Sequence, residues 1–174
     1  MTDAPAHAPR SGAKPFLTDV ETLRERARKH LSDGGITKSY RGDVRTKADT
    51  ALTAADIAEH NLILFGDPGS NKVIAQILDK LPLKWTARAI ELAGKSYGTS
   101  SHIPVMIYPN PLNPKRYVVL NAGLSGPGPG GPLSSYGDYA VLNIGMAAET
   151  KMGIVAHVAD SGLFDEDWKL PSRK

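Results

Sequence analysis

The run NLILFGDPGSNKVIAQILDKL, residues 61–81, constrains the fold more than any other part of the chain. Leu62 to Phe65 are consecutive apolar residues, the composition of a buried strand. A turn with two glycines and a proline follows, then Val73, Ile74, Ile77 and Leu78 at helical spacing. Strand, glycine-rich turn and helix together open a βαβ unit. Such a unit sets the backbone N–H groups of a helix start beyond the carboxyl end of a strand, a place suited to an anion or a polar ligand. The turn carries neither a G-x-x-x-x-G-K-[ST] nor a G-x-G-x-x-G pattern, and Lys72 stands outside phosphate-loop spacing. It also reads as an ordinary strand-to-helix connection, with Ser70 or Asn71 as N-cap.

Elsewhere the apolar and β-branched runs predict strands at Ile103–Tyr108, Tyr117–Asn121, Tyr139–Ile144 and Ile154–Val158. A short strand over 88–93 is expected to pair through Gly94 with Lys95–Tyr97. Thr53 should cap a short helix at Ala54–Glu59, and a second helix should run from Asn71 to about Lys80, where Pro82 ends it. Three prolines within Pro109–Pro114 predict a stiff loop over 109–116. Residues 122–133, AGLSGPGPGGPL, read as a flexible low-complexity loop. Leu163, Phe164 and Trp168 are expected to anchor a terminal turn.

Residues 1–16 are rich in Ala, Pro and polar groups and are expected to be disordered. A helical arm follows over 17–40. Thr18 and Glu21 form a T-x-x-E capping box, and Val20, Leu23, Ala27 and Leu31 form a narrow apolar stripe, too narrow to bind the arm firmly to the rest. The expected architecture is therefore α/β: a single mixed sheet of about five strands with few helices, preceded by a helical N-terminal arm. Residues 41–174 form the module.

Composition narrows the function classes. A formal charge of +3 and scattered basic residues give no electrostatic footprint for nucleic acid. No run of about 18 apolar residues exists, so no membrane-spanning helix is expected. The chain has no cysteine, hence neither disulfide nor thiolate chemistry. The first residues lack an apolar signal-peptide core, which points to the cytoplasm.

Several segments carry a resemblance. RGDVRTKADTALTAADI (41–57), NLILFGDPGSNKVIAQILDKLPLKW (61–85), HIPVMIYPNPLNPKRYVVLNAG (102–123), GDYAVLNI (137–144) and GLFDEDWKL (162–170) resemble, in that order, a C-terminal module of prolyl-oligopeptidase-like α/β-hydrolase proteins of planctomycete-type bacteria. Residues 124–136 depart from it: Gly/Pro filler stands where a longer, aromatic-bearing segment is expected. PFLTDVETLRERARKHLSDGGITKSY (15–40) resembles the N-terminal arm of bacterioferritin/Dps-like ferritins, but no iron-binding Glu or E-x-x-H pattern follows it. The first resemblance implies a serine-hydrolase or peptidase context, a hydrolase domain or another protein as partner, and export for related full-length hydrolases.

The chemistry that context requires is not assembled in the sequence. A nucleophile elbow needs G-x-S-x-G on a strand-to-helix turn. Gly123-Leu124-Ser125-Gly126-Pro127 and Gly98-Thr99-Ser100-Ser101-His102 both fail at the last position. At Ser70, Pro68 replaces the first glycine. His102 or His157 could act as base, with Asp67 or Asp160 to orient it; equally, His102 reads as a strand-opening residue bonded to backbone, and His157 as part of an edge strand. The histidines lack metal-ligand spacing, and the acids Asp160, Asp165, Glu166 and Asp167 lack the calcium-loop pattern. No catalytic residue, metal or cofactor is therefore assigned. A ligand site is expected at the carboxyl end of the first strand, from Gly66, Asp67, Ser70 and Asn71 with Asn110 and Asn113. The leading expectation is a non-catalytic accessory or interaction module. A hydrolase using the 66–71 turn is the alternative, and a ferritin-related iron or cargo protein the weaker one.

Overall fold

The computed structural model describes residues 45–121, 136–150 and 153–171. The expected disordered tail, the helical arm over 17–40 and the loop over 122–133 lie outside them. After a 3-10 turn at Asp49–Ala51, the elements are α1 (Ala54–Glu59), β1 (Leu62–Phe65), α2 (Lys72–Ile77), a 3-10 turn at Leu78–Lys80, β2 (Leu83–Trp85), β3 (Ala89–Leu92), β4 (Lys95–Gly98), β5 (His102–Asn110), β6 (Asn113–Asn121), β7 (Tyr139–Thr150) and β8 (Gly153–Gly162).

The short helices begin where local chemistry sets them. Thr53 accepts from the Asp56 amide, and the Asp56 carboxylate accepts from the Thr53 amide, a reciprocal cap on α1. Asn71 caps α2 by accepting from the amides of Val73 and Ile74. The hydrophobic effect then fixes α2: Val73, Ile74 and Ile77 are buried, on one stripe of the helix.

Five strands form a mixed sheet in the order β1-β6-β5-β7-β8. β1 runs parallel to β6, and the remaining pairs are antiparallel. Register aligns Leu64, Leu120, Met106 and Tyr139 across four strands, and all four are buried. Since side chains alternate along a strand, Ile63 faces the other way and is 50% exposed.

Two expectations are corrected. The sheet is not alone: β2, β3 and β4 form a separate three-stranded antiparallel sheet. The hairpin through Gly94 forms as expected, but Trp85 lies in β2, paired with Ile90, rather than leading a single strand. Leu83, Trp85, Ile90 and Leu92 are buried, so this sheet adds to the common core.

The segment 109–116 is not a loop. β5 and β6 meet in a tight hairpin at Pro111-Leu112, and Pro109 and Pro114 lie within the strands. The prolines are accommodated because pairing passes directly from Asn110↔Asn113 to Pro109↔Tyr117, leaving 114–116 as a bulge. Pro104 lies one residue beyond the last β5–β6 pair, where β5 pairs with β7 alone.

The C-terminal segment closes one end of the sheet. The Phe164 ring lies 5.4 Å from Tyr108 and 5.2 Å from Tyr139, and Trp168 lies 5.5 Å from Tyr117. The Asp138 carboxylate accepts from the Phe164 amide at 3.0 Å. Phe164 and Trp168 thus anchor the segment as expected; Leu163 does not, being 63% exposed.

Candidate functional site

The turn after β1 is built around Asp67. Its Oδ1 accepts from the amides of Gly69 at 2.7 Å and Ser70 at 3.1 Å, and its carbonyl accepts from the Asn71 amide at 2.9 Å. Ser70 Oγ accepts from the Asp67 amide at 3.0 Å and donates to the Asp67 carbonyl at 3.2 Å. Gly66 has φ +104°, and a Cβ there would stand 2.6 Å from Ser70 Oγ, so the close hydroxyl and the left-handed backbone both require glycine.

The helix start is fully engaged. The Lys72 amide donates to Asp49 Oδ2 at 2.8 Å, those of Val73 and Ile74 to Asn71 Oδ1, and that of Ala75 to the Asn71 carbonyl. Asn71 Nδ2 reaches back to the Phe65 carbonyl at 3.0 Å. Gly66, Asp67, Ser70 and Asn71 are therefore brought together, but into a closed hydrogen-bonded turn. The donors expected to face a ligand already have protein acceptors, with Asp49 supplying one from 23 residues away.

Asn110 and Asn113 do not join them. Phe65 pairs with Asn121 at the carboxyl end of β6, whereas Asn113 begins β6. At about 3.3 Å per residue, the two groups stand on the order of 25 Å apart, at opposite ends of the sheet. Asn113 instead ties the hairpin to α1, donating to the carbonyls of Ile57 at 3.0 Å and Ala58 at 3.2 Å. Asn110 is wholly buried; its Oδ1 accepts from the Leu112 amide, and its Nδ2 has no acceptor among the described residues.

A different polar cluster forms where β4, β5 and β8 approach. Tyr97 Oη donates to Asp160 Oδ2 at 2.8 Å, and Lys95 Nζ lies 3.1 Å from the same oxygen. The Tyr97 ring lies 5.5 Å from that of His102, whose Nδ1 is 3.0 Å from Ser101 Oγ and 3.2 Å from the Gly98 carbonyl. The sequence named His102 and Asp160 but gave no sign that Tyr97 and Lys95 join them. Their two-residue spacing on a predicted strand put them on one face; what they would meet there depended on pairing.

His102 Nδ1 is shared between Ser101 Oγ and the Gly98 carbonyl, and the direction of the serine contact follows the ring tautomer. Asp160 binds Tyr97 and Lys95, and Asp67 is built into its own turn. His157, opposite Asn143 on β8, is exposed. Among the described residues, no group of three or more His, Asp or Glu side chains could hold a metal ion. None of their helices is long and apolar enough to cross a membrane.

A depression lies elsewhere, along the small sheet and the 3-10 turn before it. This groove, of about 830 Å³, has Leu78, Leu81, Leu83, Trp85, Leu92 and Leu170 among its walls. Lys84 and Glu91, 3.3 Å apart, are an exposed ion pair on its border. β2 is a terminal strand of the small sheet among the described residues, and Leu83, Lys84 and Trp85 of it line the groove. No histidine lines it. No protein-family model, curated protein or solved structure matches the chain.

Proposed function

We propose that the chain is a non-catalytic accessory or interaction module, of the kind that accompanies prolyl-oligopeptidase-like α/β-hydrolases. The observation that carries the reading is the strand-to-helix turn. In a hydrolase, that turn presents the nucleophile; here Ser70 Oγ and the amides around it are bonded within the turn. Nucleophilic catalysis needs a serine, an adjacent base and an oxyanion hole within reach of one another. The two acids named to orient a histidine are engaged elsewhere, Asp160 with Tyr97 and Lys95 and Asp67 within its own turn.

The partner is an extended segment of another polypeptide, such as a hydrolase domain, lying in the groove beside β2. Leu83, Trp85 and Leu92 offer apolar contact, and β2, a terminal strand among the described residues, offers an edge for backbone hydrogen bonds. That combination suits strand addition, in which main-chain bonds provide affinity and side-chain pockets selectivity.

Two measurements test the proposal. A fluorophosphonate probe should leave the full chain unlabelled; stoichiometric labelling lost in Ser70→Ala or Ser101→Ala would establish a hydrolase instead. A short peptide alternating valine and threonine should shift the amide resonances of Leu83–Trp85. Shifts confined to other surfaces would remove the groove as the site.

A further inference from the structure

We infer that the segment Thr18–Ser32 of this same chain docks on the outer face of the large sheet, across Ile63, Val119 and Ile107. The inference is independent of the groove, which lies on the small sheet.

The face is apolar and only partly covered. Leu64, Leu120 and Met106 turn into the core. The alternate row, Ile63, Val119 and Ile107, is aligned across β1, β6 and β5 and turns the other way. Ile63 is exposed, and Val119 and Ile107 are half-buried. Tyr117, two residues before Val119 and on the same side, is 41% exposed. Three large apolar side chains are exposed among the described residues, and two of them, Ile63 and Tyr117, belong to this face. An exposed apolar surface with a polar rim marks a place of contact. The rim here is acidic: Asp165, Glu166 and Asp167, all exposed, lead into Trp168, whose ring meets Tyr117.

The occupant follows from complementarity and from the tether. Val20, Leu23, Ala27 and Leu31 recur at helical spacing, a stripe about 16 Å long against about 10 Å across three strands. Arg24, Arg26, Arg28 and Lys29 accompany its second half, with Glu25 the one acid among them, and their charge opposes that of the rim. The stripe is too narrow to hold firmly by itself; charge and tether add what it lacks. The described chain begins at Arg45, and Asp49 is fixed at the Lys72 amide, beyond the carboxyl end of β1. Residues 33–44 span at most about 40 Å, enough to bring the segment to this face. A short tether supplies an effective concentration on the order of millimolar. The arm is thus a salt-sensitive cover for the apolar face.

The chain has no cysteine, so Thr22→Cys, off the stripe, takes a single spin label. In the full chain the label should broaden the amide resonances of Ile63, Val119 and Asp165–Trp168 and spare those of Leu83–Trp85. The broadening should not change on dilution. Leu23→Ser should lower the ratio of docked to free arm about tenfold or more, through lost apolar contact. Glu166→Lys, at an exposed position, should lower it about twofold to fivefold, and added salt should lower it too. Absence of broadening, or broadening centred on Leu83–Trp85, overturns the inference. Broadening that fades on dilution belongs to a second copy's arm and overturns it as well. So does a ratio left unchanged by either variant.

Discussion

Two buried asparagines stand at opposite ends of the large sheet, each in a turn that looks polar and adaptable in the sequence. Asn71, after β1, makes three side-chain bonds, to Val73, Ile74 and Phe65. Asn110, before the β5–β6 turn, makes one, to Leu112, and its amide group has no acceptor among the described residues. The difference comes from what surrounds each. Asn71 stands between a strand end, with a carbonyl to satisfy, and a helix start, with orphan amides; both its donor and its acceptor have work there. Asn110 stands where β5 turns into β6 with a register shift, and the turn needs only its acceptor. Burial alone therefore says little about what a polar residue contributes. The number of backbone groups it satisfies decides.

The largest expected effect follows from Asn71. Asn71→Ala should destabilise the fold by about 2–4 kcal/mol, since it leaves two buried amides and one strand carbonyl unsatisfied. Urea denaturation with an unchanged m-value would check this. A loss below about 1 kcal/mol would show that backbone adjustment replaces the cap. Asn110→Ala should cost less, about 0.5–1.5 kcal/mol, because one bond is lost and one orphan donor goes with it. If Asn110→Ala is the costlier change, the contrast between the two turns collapses. The double variant should equal the sum of the two, given their separation.

The smallest effect lies at the surface, at Asp56. The Lys47 ammonium at 2.7 Å and the Thr53 hydroxyl and amide hold its carboxyl well below the usual carboxylate range. A depressed carboxyl stabilises the fold above its unfolded value of about 3.9 and loses that contribution as pH falls toward the folded value. The melting temperature of the wild type should exceed that of Asp56→Asn at pH 7. The gap should narrow below about pH 4 and shrink with added salt, because the pair is at the surface. A gap that is constant with pH would mean that Asp56 acts only through its cap geometry.

Much of the local structure was legible. The apolar runs at 62–65, 103–108, 117–121, 139–144 and 154–158 are strands, and Thr53 and Asn71 cap the helices at the expected places. His102 opens β5 with its ring against the Gly98 carbonyl, as one of its two readings held. The proline-rich hairpin misled because proline propensity describes an isolated segment, whereas a bulge lets the prolines of 109–116 remain within paired strands. The candidate site was legible only in its near half. Gly66, Asp67, Ser70 and Asn71 meet because they are adjacent in sequence.

The sequence by itself determined most of the elements, with β2 and the 109–116 hairpin as the exceptions: where apolar periodicity starts, where a cap ends it and which residues seek the core. These are contests between neighbouring groups, and neighbours in sequence settle them. Tertiary structure alone decided how the elements pair. It assigned β2–β4 to their own sheet, placed β1 beside β6 and carried Asn110 and Asn113 to the end away from Gly66. It brought Tyr97 and Lys95 to Asp160 and sent Asp49 to the Lys72 amide, engaging a donor that the turn alone would have left exposed. The physical reason is that strand pairing and buried hydrogen bonding join groups distant in the chain, and their free energies depend on partners that no local pattern names.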